Sequence, residues 1–207
     1  DLHYWLYRPL NKLSPFSDGG RVEYSLWPGD GRKVFELGVG EKHYRFATPI
    51  CYESTTPYIS RGLSWEGRQR RAEFLVNISN DGWFLHSHEL PQHLAINVFR
   101  AIENRVTVVR AVNTGISGFI DPDGRIYSKV TDREGSSFRV GAGGVVGYDI
   151  EPVYIDWRTS FYARTGDWLP LSCLLLAALL WLSAIFERWV LAIQHRISAF
   201  MKRRRTA

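Results

Sequence analysis

Cys51-Tyr52-Glu53 sets a thiol two residues from a carboxylate. A thiol acts as a nucleophile through its thiolate, which needs a base, a cation or a favourable dipole beside it. The tripeptide is entered from Tyr44-Arg45-Phe46-Ala47 and Thr48-Pro49-Ile50, and is followed by Ser54-Thr55-Thr56-Pro57. That is the layout of a strand that ends in a sharp turn into a helix. Such an elbow exposes one side chain, and with Tyr52 opening the helix the N–H groups after Cys51 point outward, where the positive end of the dipole favours a thiolate and a nearby oxyanion. The plain alternative is a small buried hydrophobe, the commoner role of a free cysteine.

The elements that must position this elbow are legible around it. Lys33-Val34-Phe35-Glu36-Leu37 and His43-Tyr44-Arg45-Phe46 read as two strands of a hairpin or ladder, the second delivering Cys51. Residues 58–71 carry a helix and an arginine-rich connection, and residues 73–80 a short apolar strand that breaks into Asn80-Asp81-Gly82, a turn signal. Residues 91–105 place Leu94, Val98 and Ile102 on one helical face. Residues 107–113 form a further strand, and residues 119–126 a strand containing a type I turn at Asp121-Pro122-Asp123-Gly124. Strands alternating with helices predict an α/β fold. Near the start, Pro9 and Pro15 force irregular backbone around Lys12, which by itself reads as a solvated loop charge.

Composition bounds the rest. With 207 residues, 45% hydrophobic and 14% aromatic, the chain has enough apolar content for one folded domain plus an appendage. The two cysteines lie far apart, so no disulfide framework is predicted. No metal-binding cysteine cluster or Gly-rich phosphate loop is present either, and no cofactor or metal is expected. The net charge of +5 falls largely in Lys202-Arg203-Arg204-Arg205 and flanking arginines. Charge placed there suits a membrane-flanking tail rather than nucleic-acid binding. Residues 169–186 form a run of roughly 18 residues without a charge, just enough to cross a bilayer, and residues 189–200 either lengthen that helix or lie along the interface. The positive-inside rule then puts the C-terminus in the cytoplasm and Cys51 on the opposite side of the membrane. The chain opens at Asp1 with its one Met at position 201, and is read as a piece of a longer protein.

Several segments, in order, resemble the successive motifs of the bacterial apolipoprotein N-acyltransferases within the nitrilase, or carbon–nitrogen hydrolase, superfamily. They are Ile50-Cys51-Tyr52-Glu53, Asn77-Ile78-Ser79-Asn80-Asp81-Gly82-Trp83-Phe84, Gln92-His93, Arg100-Ala101-Ile102-Glu103-Asn104-Arg105, Val109-Arg110-Ala111-Val112-Asn113-Thr114-Gly115-Ile116-Ser117 and Phe161-Tyr162-Ala163-Arg164-Thr165-Gly166-Asp167-Trp168. The last of them, standing before a hydrophobic helix, is the membrane family's own. The resemblance implies a nitrilase-like α/β/β/α sandwich, incomplete at the N-terminus, over residues 1–167, then a transmembrane helix at 168–190 and a basic cytoplasmic tail at 191–207. It places the catalytic domain on the periplasmic side of the bacterial inner membrane.

It also implies a Glu-Lys-Cys site. Cys51 takes the nucleophile, and Tyr52 and Glu53 the two positions after it that matter for activity. Leu13-Ser14-Pro15-Phe16-Ser17-Asp18 matches a segment in which Asp18 stands where a supporting glutamate is expected. The family's lysine position falls at Leu10, with Lys12 two residues on as the candidate lysine, and the triad's glutamate is expected upstream of Asp1. The implied partners are a phospholipid acyl donor and a diacylglyceryl-modified apolipoprotein acceptor. Without the glutamate, residues 1–207 alone are expected to be inactive. Trp83 and Phe84 read equally as lipid-interface or core residues. Two other classes stay open. A soluble amidase or nitrilase would share the elbow but has no use for the apolar segment, and an inactive remnant of the acyltransferase would share everything but the lysine and the base.

Overall fold

The structure is a computed structural model, and it describes residues 29–84, 87–139 and 143–205. Lys12 and Asp18 lie outside these. From Lys33 on, the chain forms one compact unit.

The elements run β1 (Phe35–Val39), β2 (Lys42–Ala47), a 3-10 turn (Cys51–Thr55), α1 (Pro57–Ser64), β3 (Trp65–Glu66), β4 (Gln69–Arg70), β5 (Phe74–Asn80) and a second 3-10 turn (Asp81–Phe84). They continue with α2 (Glu89–Asn104), β6 (Thr107–Asn113), β7 (Gly118–Ile120), β8 (Ile126–Lys129), β9 (Phe138–Arg139), β10 (Gly143–Gly144), α3 (Phe161–Thr165) and α4 (Trp168–Arg205). Six strands form one mixed sheet in the order β1-β2-β5-β6-β7-β8. β2, β5 and β6 are parallel to one another, and the strands outside them are antiparallel. The expected hairpin is β1–β2, turning at Gly40 with φ +62°, a conformation that suits a residue without Cβ. The strand expected over residues 119–126 is instead a second hairpin, because the Asp121–Gly124 turn folds β8 back onto β7.

Parallel neighbours require crossovers, and here these are α1 and α2. Both pack on one face of the sheet: Leu63 of α1 and Leu90, Leu94 and Ala101 of α2 join Leu75, Val106, Val108, Ile116 and Ile120 in the core. Burying a leucine contributes roughly 1.5–3 kcal/mol, so this face holds the sheet to its helices. Strand alternation puts Leu75 and Asn77 on the helix side and Phe74 and Ile78 on the other. On that second face Phe35, Phe46 and Phe74 are register partners across three strands and stack at 5.3 and 5.4 Å between ring centroids. Phe35 and Ile78 remain exposed there. The described residues therefore supply one six-stranded sheet with a helix layer on one face, beside two two-stranded pairs, β3–β4 and β9–β10.

α4 is a single helix through residue 205, so residues 189–200 lengthen it. Its Trp168–Leu191 part is long and apolar enough to cross a membrane, and none of it is buried against the protein.

Candidate active site

β2, β5 and β6 all end at the same edge, and in parallel sheets the carboxyl ends of the strands are where loops converge to make sites. From β2 comes Cys51, from β5 Asn80 and Asp81, and from β6 Asn113 and Thr114. The elbow forms because β2 stops at Ala47, Ile50 makes one isolated bridge to Ile78, and the next residue reverses direction. That residue is Cys51, with φ +51°. A non-glycine residue held in the left-handed region costs on the order of 1–3 kcal/mol and persists only where its surroundings enforce it.

Several bonds enforce it. The Glu53 carboxylate accepts the Ile50 N–H at 2.8 Å, and the Glu53 N–H donates to the Ile50 carbonyl at 3.0 Å. Behind the elbow, Asn77 donates its amide to the Pro49 carbonyl at 3.0 Å and to the Cys51 carbonyl at 3.4 Å. Ser54 lies 3.2 Å from the same Cys51 carbonyl. Cys51 is partly exposed, and Tyr52 beside it is 53% exposed, its ring 6.2 Å from Phe84 and 5.8 Å from His93. Glu53 is exposed, so it acts on the backbone from the solvent side.

The expected helix after Cys51 is a five-residue 3-10 turn, and α1 begins only at Pro57. Pro57 takes the first position of α1, where a missing N–H costs nothing. Cys51 is therefore not at the N-terminus of an α-helix. Arg110 of β6 is fully engaged beneath the elbow: Nη1 donates to Asn77 Oδ1 at 2.9 Å, Nη2 pairs with Asp81 Oδ2 at 3.3 Å and Nε donates to the Ile116 carbonyl at 3.3 Å. Burial pushes the Arg110 guanidinium down to about 10, opposed by Asp81, Glu89 and Cys51. It stays charged at neutral pH.

Asp81, read from the sequence as a turn residue, is 1% exposed and centres this network. It accepts from Ser79 at 2.6 Å and faces His93 Nδ1 at 3.1 Å. Burial pushes its carboxyl up, but the bonds from His93 and Ser79 and the charge of Arg110 outweigh that and hold it below the usual range. Glu89, one turn before His93, is pushed up by burial and by Asp81. The donor atoms of Asp81, Glu89 and His93 lie within 4.8 Å of one another, but Arg110 already neutralises Asp81, so the group reads as an ion-pair network rather than a cation site. α2 carries the polar stripe His93, Asn97, Arg100 and Asn104, all buried. Their spacing of four, three and four residues marks one helical face, and that periodicity was available in the sequence. Thr114 adopts φ +63°, and the loop after it is clamped where the Gly144 N–H donates to the Thr114 carbonyl at 3.1 Å. Cys173 lies exposed on α4, away from any such network.

A mixed sheet whose parallel centre carries a strained cysteine elbow and an Asn-Asp edge defines a class. Residues 5–140 match the family model described as carbon-nitrogen hydrolase, and the chain belongs to that family. Within it, the chain is similar to apolipoprotein N-acyltransferase 2 of Treponema denticola, 36% identical over 170 residues, covering 82% of this chain and 29% of that protein. It is also similar to apolipoprotein N-acyltransferase of Geobacter metallireducens, 40% identical over 123 residues, covering 58% of this chain and 22% of that protein. The chain thus spans under a third of the length of these relatives. Among solved structures, an amidase from Nesterenkonia sp. is 19% identical with a TM-score of 0.40, covering 51% of this chain and 40% of that one.

Proposed function

We propose that this chain is part of an apolipoprotein N-acyltransferase and carries its nucleophile, Cys51. The observation that supports this most is the juxtaposition in one compact unit of a strained cysteine elbow and an exposed helix of membrane-spanning length. The helix favours a membrane acyltransferase over a soluble amidase, for which it has no use.

The reaction divides into two halves. A carboxylate base takes the Cys51 proton and the thiolate attacks the ester carbonyl of a phospholipid. The oxyanion is held by the Tyr52 N–H and by a lysine, with Lys12 the candidate. Collapse expels the lysophospholipid alkoxide, which recovers the proton, and leaves a thioester on Cys51. The α-amine of a diacylglyceryl-cysteine then attacks the thioester, an amide forms, and the thiol is released. Glu53 holds the elbow through the Ile50 N–H, Tyr52 and Phe84 form an apolar rim for the acyl chain, and Asp18 supports the lysine. The domain lies outside the cytoplasm at residues 1–167, α4 spans the membrane and the basic tail faces the cytoplasm.

Mass spectrometry of the complete membrane-embedded protein of which this chain is part, incubated with phospholipid vesicles, tests this. Acyl addition is expected at Cys51 and absent in Cys51→Ala, while Cys173→Ala is acylated normally. Lys12→Ala is expected to abolish the thioester, with Lys33→Ala and Lys42→Ala unaffected. Acylation that persists in Cys51→Ala would overturn the reading.

A further inference from the structure

Ser54 is fully buried, and its single hydroxyl hydrogen has two acceptors in reach: the Cys51 carbonyl at 3.2 Å and His93 Nε2 at 3.0 Å. Asn97 donates to the same Ser54 oxygen at 3.2 Å. His93 Nδ1 faces the Asp81 carboxylate, which only accepts, so Nδ1 carries a hydrogen. What distinguishes the two states of the ring is Nε2. In the neutral ring Nε2 is bare and takes the Ser54 hydrogen, leaving the Cys51 carbonyl to Asn77. In the charged ring Nε2–H donates to Ser54. The Ser54 oxygen then accepts from both His93 and Asn97, and its own hydrogen is free for the Cys51 carbonyl.

A carbonyl and the N–H that follows it belong to one planar trans unit and point in opposite directions. A second donor on the Cys51 carbonyl therefore fixes where the Tyr52 N–H points, and the first N–H groups of a turn have no partner inside it. We propose that His93 is a positioning residue for the elbow: its charged form commits the Ser54 hydroxyl to the Cys51 carbonyl and so aims the Tyr52 N–H at the developing oxyanion. This rests on the proposed function only in taking Cys51 as the reacting group. The groups that face the ring are Asp81 from the 3-10 turn, Glu89 on α2 at 3.4 Å, Arg110 from β6, whose Nη1 reaches the His93 carbonyl at 3.5 Å, and the Tyr52 ring from the elbow; Cys51 acts electrostatically on Arg110. Asp81 and Arg110 cancel, so a charged His93 is matched by an ionised Glu89.

The test uses the complete membrane-embedded protein, which carries the base, and p-nitrophenyl butyrate, whose acyl transfer to a thiol needs an oxyanion but no lipid site. Burst rates of p-nitrophenolate are compared between wild type, Ser54→Ala and His93→Gln from pH 5 to 8.5, beside the His93 ring titration followed by NMR of labelled histidine. Where the ring is charged, wild type is expected to exceed Ser54→Ala by about two- to tenfold, the worth of one hydrogen bond. Where the ring is neutral the ratio should fall to about one, with the midpoint of the NMR titration. His93→Gln, whose amide donates to Ser54 at every pH, should hold the ratio flat. If Ser54→Ala does not fold, wild type against His93→Gln carries the same comparison, with parity at acid pH and a slower wild type at alkaline pH. A ratio constant across pH, or a midpoint apart from the ring's own, overturns the proposal, as does a merely structural role that lowers the stability of both variants and leaves the ratio unchanged. An intact burst without transfer from phospholipid would sink the acyltransferase reading and leave this inference standing.

Discussion

Asn77 and Arg110 are register partners in β5 and β6, and the guanidinium of one donates to the side-chain oxygen of the other at 2.9 Å. The Asn77 amide thereby points its nitrogen at the Pro49 and Cys51 carbonyls, so that a strand pairing deep in the sheet orients the elbow. Asn77→Ala should cost about 1–3 kcal/mol by leaving buried partners unsatisfied. Asn77→Asp keeps the acceptor for Arg110 but loses both donors. It should therefore be the more stable of the two by thermal unfolding while acylating Cys51 as poorly as the alanine variant.

Arg110 and Asp81 are a buried pair, each at most 2% exposed at the side chain. Removing one partner of such a pair costs roughly 3–5 kcal/mol, because the other charge stays buried. Arg110→Met should be destabilised by that order. The double variant Arg110→Met with Asp81→Asn should recover part of it, a non-additivity read directly from a double-mutant cycle of denaturant midpoints.

Glu89 and Asp81 shift in opposite directions, and this gives the fold a recognisable pH profile. Asp81 binds its proton more weakly in the folded state, so its contribution is present above the ordinary carboxylate range and is lost as pH falls through its lowered value. Glu89 binds its proton more tightly when folded, so its contribution is present at acid pH and is lost as pH rises through its raised value. Glu89→Gln should therefore raise the melting temperature at neutral pH by a few degrees and leave it nearly unchanged below the ordinary glutamate range. A melting temperature that falls at neutral pH would show that Glu89 is needed ionised.

Gly144 approaches the site loop so closely that a Cβ there would lie 1.9 Å from the Gly115 carbonyl oxygen, a backbone atom with nowhere to go. At Gly147 the nearest obstacle is the Val130 side chain, at 2.8 Å. Gly144→Ala should destabilise by several kcal/mol and expose the 113–116 loop to protease. Gly147→Ala should stay within the usual range for mild overpacking, about 1–3 kcal/mol.

The sequence carried the strands and helices well because their apolar periods are strong: β1–β2, β5, α2 and β6 fall where alternation and helical spacing put them. It carried the elbow's position, since a Pro-Ile-Cys-Tyr run after a strand leaves few ways to continue, but not its conformation. A left-handed Cys51 and a 3-10 turn are set by bonds from Asn77 and Glu53 that no local propensity encodes. The buried polar network was missed for the same reason. Asp81 next to a glycine looks like a turn, and only the fold brings it against His93 and Arg110, respectively 12 and 29 residues away. The stripe His93, Asn97, Arg100 and Asn104 was the available warning, a polar face with a core period.

Only Gly166 and Asp167 separate α3 from α4. Fully extended, two residues reach about 7 Å. Gly166, with φ +63°, closes α3 through an N–H bond to the Tyr162 carbonyl at 2.7 Å, and Arg61 of α1 donates to the Ala163 carbonyl at 3.0 Å. The helix that leaves the elbow is thus tied to the stub that enters α4, and little slack lies between. Under the proposed function, with α4 in a bilayer, the thiol would work at a set height above the hydrocarbon, and a lipid ester would have to rise to that height to react. Selectivity among acyl donors would then be partly a matter of how far each can lift its carbonyl out of the membrane, a vertical measure that a pocket lining alone would not reveal.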